Sequence, residues 1–368
     1  MLAGLLQRKG SKISTRIPRR FAMAFTLTTT IRPDVTVRDG TLITLRSPRG
    51  ATAVVYPALG FNCFHWSVPS PEGTLQLLFQ DPELFPNGRP TRSGIPILFP
   101  YPNRIENARF SWEGKEYHLP KNDNIQKNNI HGFACRSAFR VIDQGCDKAS
   151  AWVTGEFHLF KDFPECREYW PVDAVLKLTY RLTEDSLAMG AEVRNPDNKP
   201  LPFGLGYHPY FQLPFLSGLD AEDCSLSCPA SSYWRLNECL PDGRKIPVDP
   251  ARDLNRLRLL RGFQVDDILT DLPKFTPGPD GLLERGRVVG AKKHALALRC
   301  DAAWRDMVVF TPGARTSVCI EPYTCVTNAI NLQAQGFDTG LLVLKPGEVH
   351  RSQFVMRVEP MDQFKESK

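Results

Sequence analysis

The sequence lacks any long hydrophobic run. No apolar stretch approaches the roughly 18 to 20 residues that a membrane-spanning helix needs. It also lacks internal repeats, low-complexity tracts and any linker rich in Pro, Gly or Ser that would divide the body of the chain. These absences argue against a membrane protein, a repeat array and a set of linked modules, and they favour one large domain.

Net charge is absent outside the first residues. Residues 1–22 contain no acidic residue and carry six basic ones, which account for the whole net charge of +6: Arg8, Lys9, Lys12, Arg16, Arg19 and Arg20. Because residues 23–368 are neutral overall, composition predicts neither a nucleic acid nor a membrane as partner. We interpret residues 1–33 as a basic, disordered leader before a single domain over residues 34–368. A transit peptide, an export signal and a true start at Met23 are the alternatives.

Paired cysteines of the CxxC type are also missing. The ten cysteines are scattered, and Cys224 and Cys228, four residues apart, have no second half-site of the kind that zinc motifs show. This pattern predicts reduced, mostly buried thiols in a cytoplasmic protein. It gives no indication of a structural zinc site.

The strongest local pattern is that of β-strands. Residues 175–182 alternate apolar and polar side chains, and the same period of two resumes over residues 187–193 after a short polar connection, which predicts a hairpin. Alternation also predicts a strand over residues 352–358 and a strand pair over residues 41–45 and 51–56. With 31 Pro and 26 Gly, the composition fits many short strands joined by turns.

Helical patterns are few, and the best candidate covers residues 249–261. We therefore predict an all-β fold, a single large antiparallel β-sandwich.

Three distant segments place proton-transfer side chains in stiff local frames. They are His131-Gly132, His208-Pro209-Tyr210-Phe211 and Glu321-Pro322-Tyr323-Thr324, and an arginine joins them in Asn103-Arg104-Ile105. Two histidines and one carboxylate are the groups needed to remove a proton from one oxygen while giving a proton to another.

The order of these segments resembles the aldose 1-epimerase (galactose mutarotase) family. The resemblance runs from about residue 42 to residue 358 and includes three further segments, Trp112-Glu113-Gly114-Lys115, Val265-Asp266-Asp267-Ile268 and Leu344-Lys345-Pro346-Gly347-Glu348. It implies the supersandwich fold of sugar mutarotases, with the site in a cleft across one sheet. It also implies exchange of the α and β anomers of free aldohexoses such as glucose or galactose by ring opening, which needs no cofactor and no metal.

By this resemblance, Glu321 is the general base that takes the proton of the C1 hydroxyl. His208 is the general acid that protonates the ring oxygen, and a nearby carboxylate is expected to keep it protonated. The resemblance assigns His131 a hydrogen bond to the sugar near that oxygen.

Three residues are implied as sugar ligands. Arg104 offers its planar fork of donors to hydroxyl groups, and Asn103 is the polar neighbour in the same segment. Asp266 is expected to accept hydrogen bonds from the sugar, with Asp267 as the alternative. The implied partner is a small sugar, bound by a monomer or weak homodimer.

The chain departs from the family pattern in two places. Galactose-type members commonly carry Asn-Leu after the HxYF segment, whereas this chain has Gln212-Leu213-Pro214. Arg136 follows the His-Gly segment, as in relatives that act on hexose 6-phosphates, and with Arg104 it would suit a phosphate. A hexose-6-phosphate 1-epimerase and a non-catalytic carbohydrate-binding protein are therefore alternatives. A lyase or hydrolase using Asp266 and Glu321 as paired carboxylates is a third.

Overall fold

A computed structural model describes residues 24–361, in which strands dominate and helices are short. The three α-helices have four to six residues each: α1 (Leu159–Asp162), α2 (Cys166–Tyr169) and α3 (Ala329–Ala334). Within residues 24–361, none of the helices combines the length and the apolar character that crossing a membrane requires.

The strands follow one another along the whole described chain. Those of the first half are β1 (Thr26–Ile31), β2 (Thr41–Arg46), β3 (Thr52–Tyr56), β4 (Asn62–Ser70), β5 (Gly73–Gln76), β6 (Ile97–Leu98), β7 (Arg104–Ile105), β8 (Arg109–Trp112), β9 (Lys115–His118), β10 (Asn129–Ile130), β11 (Arg140–Cys146), β12 (Ala151–His158), β13 (Val175–Leu182) and β14 (Ser186–Arg194). Those of the second half are β15 (Leu201–Phe203), β16 (Gly206–Tyr207), β17 (Tyr210–Gln212), β18 (Ser225–Ser227), β19 (Ser232–Asn237), β20 (Leu240–Pro247), β21 (Arg258–Leu259), β22 (Asp266–Thr270), β23 (Leu283–Val289), β24 (His294–Cys300), β25 (Asp306–Phe310), β26 (Ser317–Tyr323), β27 (Leu342–Leu344) and β28 (Val349–Pro360).

Three large antiparallel sheets contain most of these strands. The first is the meander β1-β2-β3-β4-β5. The second has nine strands in the order β11-β12-β13-β14-β28-β24-β23-β18-β21. The third follows the order β20-β19-β22-β25-β26-β16-β6, with β17 also paired to β26. The pairs β7–β10, β8–β9 and β15–β27 are two-stranded.

The apolar core lies between the nine-stranded sheet and the other two large sheets. Tyr207 of β16 stacks on Phe354 of β28 with ring centroids 5.9 Å apart, and Phe61 packs against Tyr180 of β13 at 5.6 Å. One continuous cluster of buried side chains joins all three sheets. Each large apolar side chain buried there contributes about 1.5 to 3 kcal/mol of transfer free energy. The predicted all-β antiparallel sandwich is therefore confirmed.

The strands predicted from alternation are present. Val175–Leu182 is β13, and its partner in the hairpin, β14, covers the predicted residues 187–193. In β13 the apolar residues Leu176, Leu178 and Tyr180 are buried while the polar ones between them are partly exposed. Strands β2, β3 and β28 also match their predictions.

The helix predicted for residues 249–261 is wrong. This segment consists of turns followed by β21. The Asp249 carboxylate accepts hydrogen bonds from the backbone N–H groups of Ala251 and Arg252, and Asp253 accepts one from Asn255. Short polar side chains that bind their own backbone in this way favour turns over helix.

Part of the predicted leader is a strand. Thr26–Ile31 pairs along its whole length with β2 at the edge of the five-stranded sheet, so the prediction of disorder up to residue 33 is wrong for this strand. Its mostly exposed side chains gave no core-facing pattern in the sequence. Residues 1–23, with the six basic side chains, lie outside the described residues.

The ten cysteines are all free thiols, and eight of them are buried, as the sequence predicts.

Candidate active site

The carboxylate of Glu321 is placed by strand β26, an inner strand of the third sheet. Along this strand Val318 and Ile320 belong to the sandwich core. Because side chains alternate between the two faces of a strand, Cys319, Glu321 and Tyr323 project from the opposite face. Every residue of β26 is buried, and only 2% of the surface of Glu321 is exposed to solvent.

Two groups contact the two oxygens of this carboxylate separately. The hydroxyl of Tyr323 donates to Oε2 at 2.8 Å, and Nε2 of His208 lies 3.4 Å from Oε1. Burial raises the pKa of Glu321 well above its ordinary value, while the bond from Tyr323 acts in the opposite direction. Oε1 is therefore the oxygen available for proton transfer, and it belongs to a carboxylate made strongly basic by its surroundings.

His208 is placed opposite Glu321 by strand register. Gly206 of β16 pairs with Tyr323, and Tyr210 of β17 pairs with Cys319, so the same antiparallel register brings His208 across from Glu321. Pro209 carries no N–H group, which is consistent with the interruption between β16 and β17. The His208 ring stacks on the Tyr210 ring at 4.5 Å with an interplanar angle of 7°.

Burial acts against the charged form of His208 as well. It lowers the pKa of His208 to about 3, whereas we expected a carboxylate to keep this histidine protonated. Glu321 does lie next to it, but removal of both side chains from water disfavours both charges. One proton shared by the pair, rather than a stable ion pair in the free protein, is the state that this environment favours.

His131 lies beside this pair, with its ring edge-on to the ring of His208. Its backbone has a positive φ of 71°, and its N–H donates to the carbonyl of Asn103 at 2.8 Å. Gly132 follows with φ of 62°, and a Cβ there would lie 2.4 Å from the carbonyl oxygen of Phe99, so glycine is required for this close approach. The rings of His131 and His208 are 5.4 Å apart. Burial, followed by the electrostatic influence of His208 and Arg104, lowers the pKa of His131 well below its usual value.

Asn103 and Arg104 connect to Tyr323. Arg104 donates to the side-chain oxygen of Asn103 at 3.0 Å. Burial raises the pKa of the Tyr323 phenol well above its usual value, and the interaction of that hydroxyl with the Asn103 amide opposes this change. Polar contacts thus run from Arg104 through Asn103 and Tyr323 to Glu321.

The side chains of the neighbouring Asp266 and Asp267 lie on different faces of strand β22. Asp266 pairs across the sheet with Phe310, which pairs with Cys319, so its Cα lies two strands, roughly 10 Å, from that of Cys319. Asp266 is solvent-accessible. Partial removal of its carboxyl group from water raises its pKa, and the positive charge of Arg104 opposes that change. Asp267 instead forms an ion pair with Arg252 at 3.1 Å. Asp266 is therefore the aspartate on the face of Glu321.

Asp266 also lines a recess of about 340 Å³ with a largely polar wall. The other residues of this wall are Ala251, Arg252, Phe263, Gln264, Val265 and Asp267.

All six residues selected from the sequence thus lie on or beside one face of the third sheet. Sequence reasoning assigned no part to Tyr323, whose hydroxyl contacts Glu321 directly. The spacing of two between Glu321 and Tyr323 on a strand is the signal that places both on one face.

Comparison with known proteins identifies the family of this chain. A family model described as aldose 1-epimerase matches residues 41–357. The chain belongs to the aldose 1-epimerase family. The name of this family denotes an isomerase acting on sugars, and the match covers every residue of the site described above.

Individual relatives are distant. The chain is 24% identical to YihR, an uncharacterised protein of Escherichia coli K12, over 69% of this chain and 76% of that protein. It is 30% identical to the galactose mutarotase of Rattus norvegicus over 42% of this chain, and the match spans 43% of the rat protein.

Among solved structures, a galactose mutarotase-like protein from Clostridium acetobutylicum superposes with a TM-score of 0.79 at 23% identity. It covers 92% of this chain and 99% of its own. Galactose 1-epimerase from Lactobacillus acidophilus gives a TM-score of 0.69 at 19% identity, with coverage of 92% and 99%. These likenesses show the shared fold.

Proposed function

We propose that this chain is an aldose 1-epimerase, or mutarotase, that interconverts the α and β anomers of free aldohexoses such as glucose or galactose. The observation that carries the proposal is the buried pair of Glu321 Oε1 and His208 Nε2, 3.4 Å apart, with His131 beside it. A carboxylate and an imidazole at this spacing can serve as the base and the acid of one reaction.

The reaction moves one proton off the sugar and another onto it. Glu321 removes the proton of the C1 hydroxyl, the C1–O5 bond breaks, and His208 gives its proton to O5, so that an open-chain aldehyde forms. Rotation about C1–C2 and reclosure from the other face of the carbonyl produce the other anomer. The competent state has Glu321 ionised and His208 protonated, which is one of the two ways of placing a single proton on the pair.

The remaining residues fix the sugar. Arg104, as a donor with a positive charge, and Asp266, as an acceptor with a negative charge, would both bind ring hydroxyls. His131 would hydrogen-bond near O5, where negative charge develops. Asn103 orients Arg104 through their hydrogen bond. The proposal includes a monomer or weak homodimer working on free sugar in the cytoplasm.

A second candidate, hexose-6-phosphate 1-epimerase, is favoured by the position of Arg136. This residue is exposed, and its positive charge contributes to lowering the pKa of His131, so it acts at the edge of the site. Arg38 donates to the backbone carbonyl of Arg136 at 2.9 Å, so a second arginine side chain contacts this segment. Two such cations suit a phosphate dianion.

The test is anomer exchange on three substrates. Freshly dissolved α-D-glucose and α-D-galactose would be followed by polarimetry, and glucose 6-phosphate by NMR exchange spectroscopy. Faster exchange of the free hexoses supports the proposal, and acceleration confined to the phosphate supports the second candidate. If sugars bind by calorimetry while none of the three is accelerated, the chain is a carbohydrate-binding protein and the proposal fails.

Loss of the Tyr323 hydroxyl is expected to move the pH profile of this activity. Tyr323→Phe removes a hydrogen bond to a charged group, worth about 1.5 to 3 kcal/mol, and with it the contribution that lowers the pKa of Glu321. The acidic limb of kcat/KM should therefore shift upward by about 1 to 2 pH units. The measurement is kcat/KM for α-D-glucose from pH 4 to 9.

Tyr207→Phe is the matched control for this substitution. Tyr207 is equally buried, but its ring lies in the core against Trp304 and its hydroxyl has no hydrogen-bond partner among the described residues. Its profile should coincide with that of the unsubstituted protein. An unchanged acidic limb in Tyr323→Phe would mean that this hydroxyl does not set the ionisation of Glu321.

A further inference from the structure

Three potential metal ligands of different chemistry meet at the buried Glu321–His208 pair. The ligand atoms of His208, Cys319 and Glu321 all lie within 4.8 Å of one another, and all three side chains are buried. Cys319 and Glu321 share one face of β26, and register sets His208 opposite Glu321. The proposed sugar chemistry uses the histidine and the glutamate but gives no task to the thiol.

The spacing fits a tetrahedral ion. His208 Nε2 and Glu321 Oε1 are 3.4 Å apart, which is long for a hydrogen-bonded ion pair. With metal bonds of about 2.0 to 2.1 Å to nitrogen and oxygen, the edge of a tetrahedral site is about 3.3 to 3.4 Å. Closing the site requires the Cys319 sulfur to lie about 3.5 Å from the other two donors, an approach of up to about 1.3 Å from separations that are within 4.8 Å.

The donor set selects the class of ion. One thiolate, one imidazole and one carboxylate form a borderline-soft set that suits Zn²⁺ or Co²⁺, whereas Mg²⁺ and Ca²⁺ prefer oxygen ligands alone. Three protein ligands leave a fourth position for water.

Two features prepare these ligands for an ion. Tyr323 holds Oε2 of Glu321 and leaves Oε1 free, as outer hydrogen bonds commonly do for metal-binding carboxylates. Nε2 of His208 lies 3.4 Å from Oε1 and 3.3 Å from the Tyr210 hydroxyl, while Nδ1 has no hydrogen-bond partner among the described residues. Nε2 is therefore the nitrogen already placed to bind an ion together with Oε1.

We propose that His208, Cys319 and Glu321 form a binding site for a thiophilic divalent ion of the Zn²⁺ class, and that its occupation stops catalysis. Binding replaces the thiol proton of Cys319 and the single proton of the Glu321–His208 pair with the metal and releases both protons to solvent, with no change in oxidation state. The inhibitory half of the inference depends on the proposed function, because the ion would occupy the base and the acid of anomer exchange together. The binding half is independent of it.

The binding half is tested with Co²⁺ and the full chain. Thiolate ligation gives Co²⁺ a charge-transfer absorption band, and we expect this band in the unsubstituted protein and its loss in Cys319→Ser. Cys325→Ser is the buried control and Cys146→Ser the exposed one, since neither belongs to the cluster. If the band persists in Cys319→Ser, the assigned site is wrong. Cys319→Ala repeats the test should the serine variant not fold.

The inhibitory half is tested with Zn²⁺ and anomer exchange on α-D-glucose. Zn²⁺ should suppress the exchange, EDTA should restore it, and Cys319→Ser should keep the basal rate while needing at least about 10-fold more Zn²⁺ for inhibition. Equal sensitivity of both proteins would overturn this half. A chain that binds Co²⁺ through Cys319 but accelerates no sugar would retain the metal site and reject the proposed function.

Discussion

Replacing Glu321 by glutamine is expected to lower anomer exchange by about 10²- to 10⁴-fold, the usual contribution of a positioned acid or base. Glutamine has the same shape, and its carbonyl oxygen can still accept the bond that Tyr323 donates to Oε2. What is lost is the one group able to take the C1 hydroxyl proton. The measurement is the exchange rate of α-D-glucose by polarimetry and by NMR at saturating and low sugar concentrations.

Stability should change in the opposite direction. Because burial raises the pKa of Glu321, its ionised form is destabilised in the folded protein, and a neutral amide avoids this cost. Glu321→Gln should therefore melt at or above the temperature of the unsubstituted protein at pH 7 to 8. Loss of activity together with retained stability separates a catalytic role from a structural one, as expected where stability is sacrificed for function.

Glu106→Gln is the matched control. Glu106 lies two residues after Arg104, outside the buried pair, and contacts the Asn328 amide at 3.5 Å. Its replacement should leave the exchange rate within about 2-fold, in line with surface substitutions away from such sites. If Glu321→Gln keeps more than about a fifth of the activity, another group is the base.

Local pattern predicted the sheets better than the irregular segments. The alternation in β13 and β14 reflects burial of one face, which dominates the energy of a half-buried strand. Residues 249–261 carry a weak helical pattern, but hydrogen bonds from Asp249 and Asp253 to nearby backbone compete with it. Whether these residues form a helix depends on individual side-chain contacts, which the periodic pattern of apolar residues does not describe.

In the candidate site, too, local pattern predicted some features and long-range contacts decided the others. The types and order of His131, His208 and Glu321 could be selected from the sequence. Their proximity could not, because it depends on the pairing of β16 and β17 with β26, more than a hundred residues away. Burial of Glu321 and His208 also follows from that long-range packing. This burial disfavours the protonated His208 that we expected from the sequence.

A second large effect is expected at a buried acid that the proposed reaction does not use. Asp306 begins β25 and is buried beneath the residues that pack on α3, and its carboxylate accepts a hydrogen bond from Nε1 of Trp234 at 3.0 Å. Burial raises its pKa to about 6, from an ordinary value of 3.8. The folded state therefore binds the proton more tightly than the unfolded state does.

This difference fixes the sign of the pH dependence. The contribution of Asp306 to the free energy of unfolding is fully present below pH 3.8 and is lost as the pH rises to about 6, beyond which its ionised form is a constant cost. Asp306→Asn keeps an acceptor for Trp234 and cannot ionise. It should stabilise the protein by up to about 3 kcal/mol at pH 7.5 and by about 1 kcal/mol at pH 4.5. Urea unfolding at pH 4.5, 6 and 7.5 measures this.

Asp123→Asn should behave in the opposite way, since Asp123 also has little exposed surface but is differently bonded. Burial alone would raise its pKa, yet hydrogen bonds from the backbone of Asn128 and Lys127 outweigh burial and lower it. Its replacement should destabilise the protein at pH 7.5, with a smaller effect as the pH falls. If Asp306→Asn were also destabilising at pH 7.5, the attraction of Arg305 and Lys245 would outweigh burial, and Asp306 would be an ionised structural anchor.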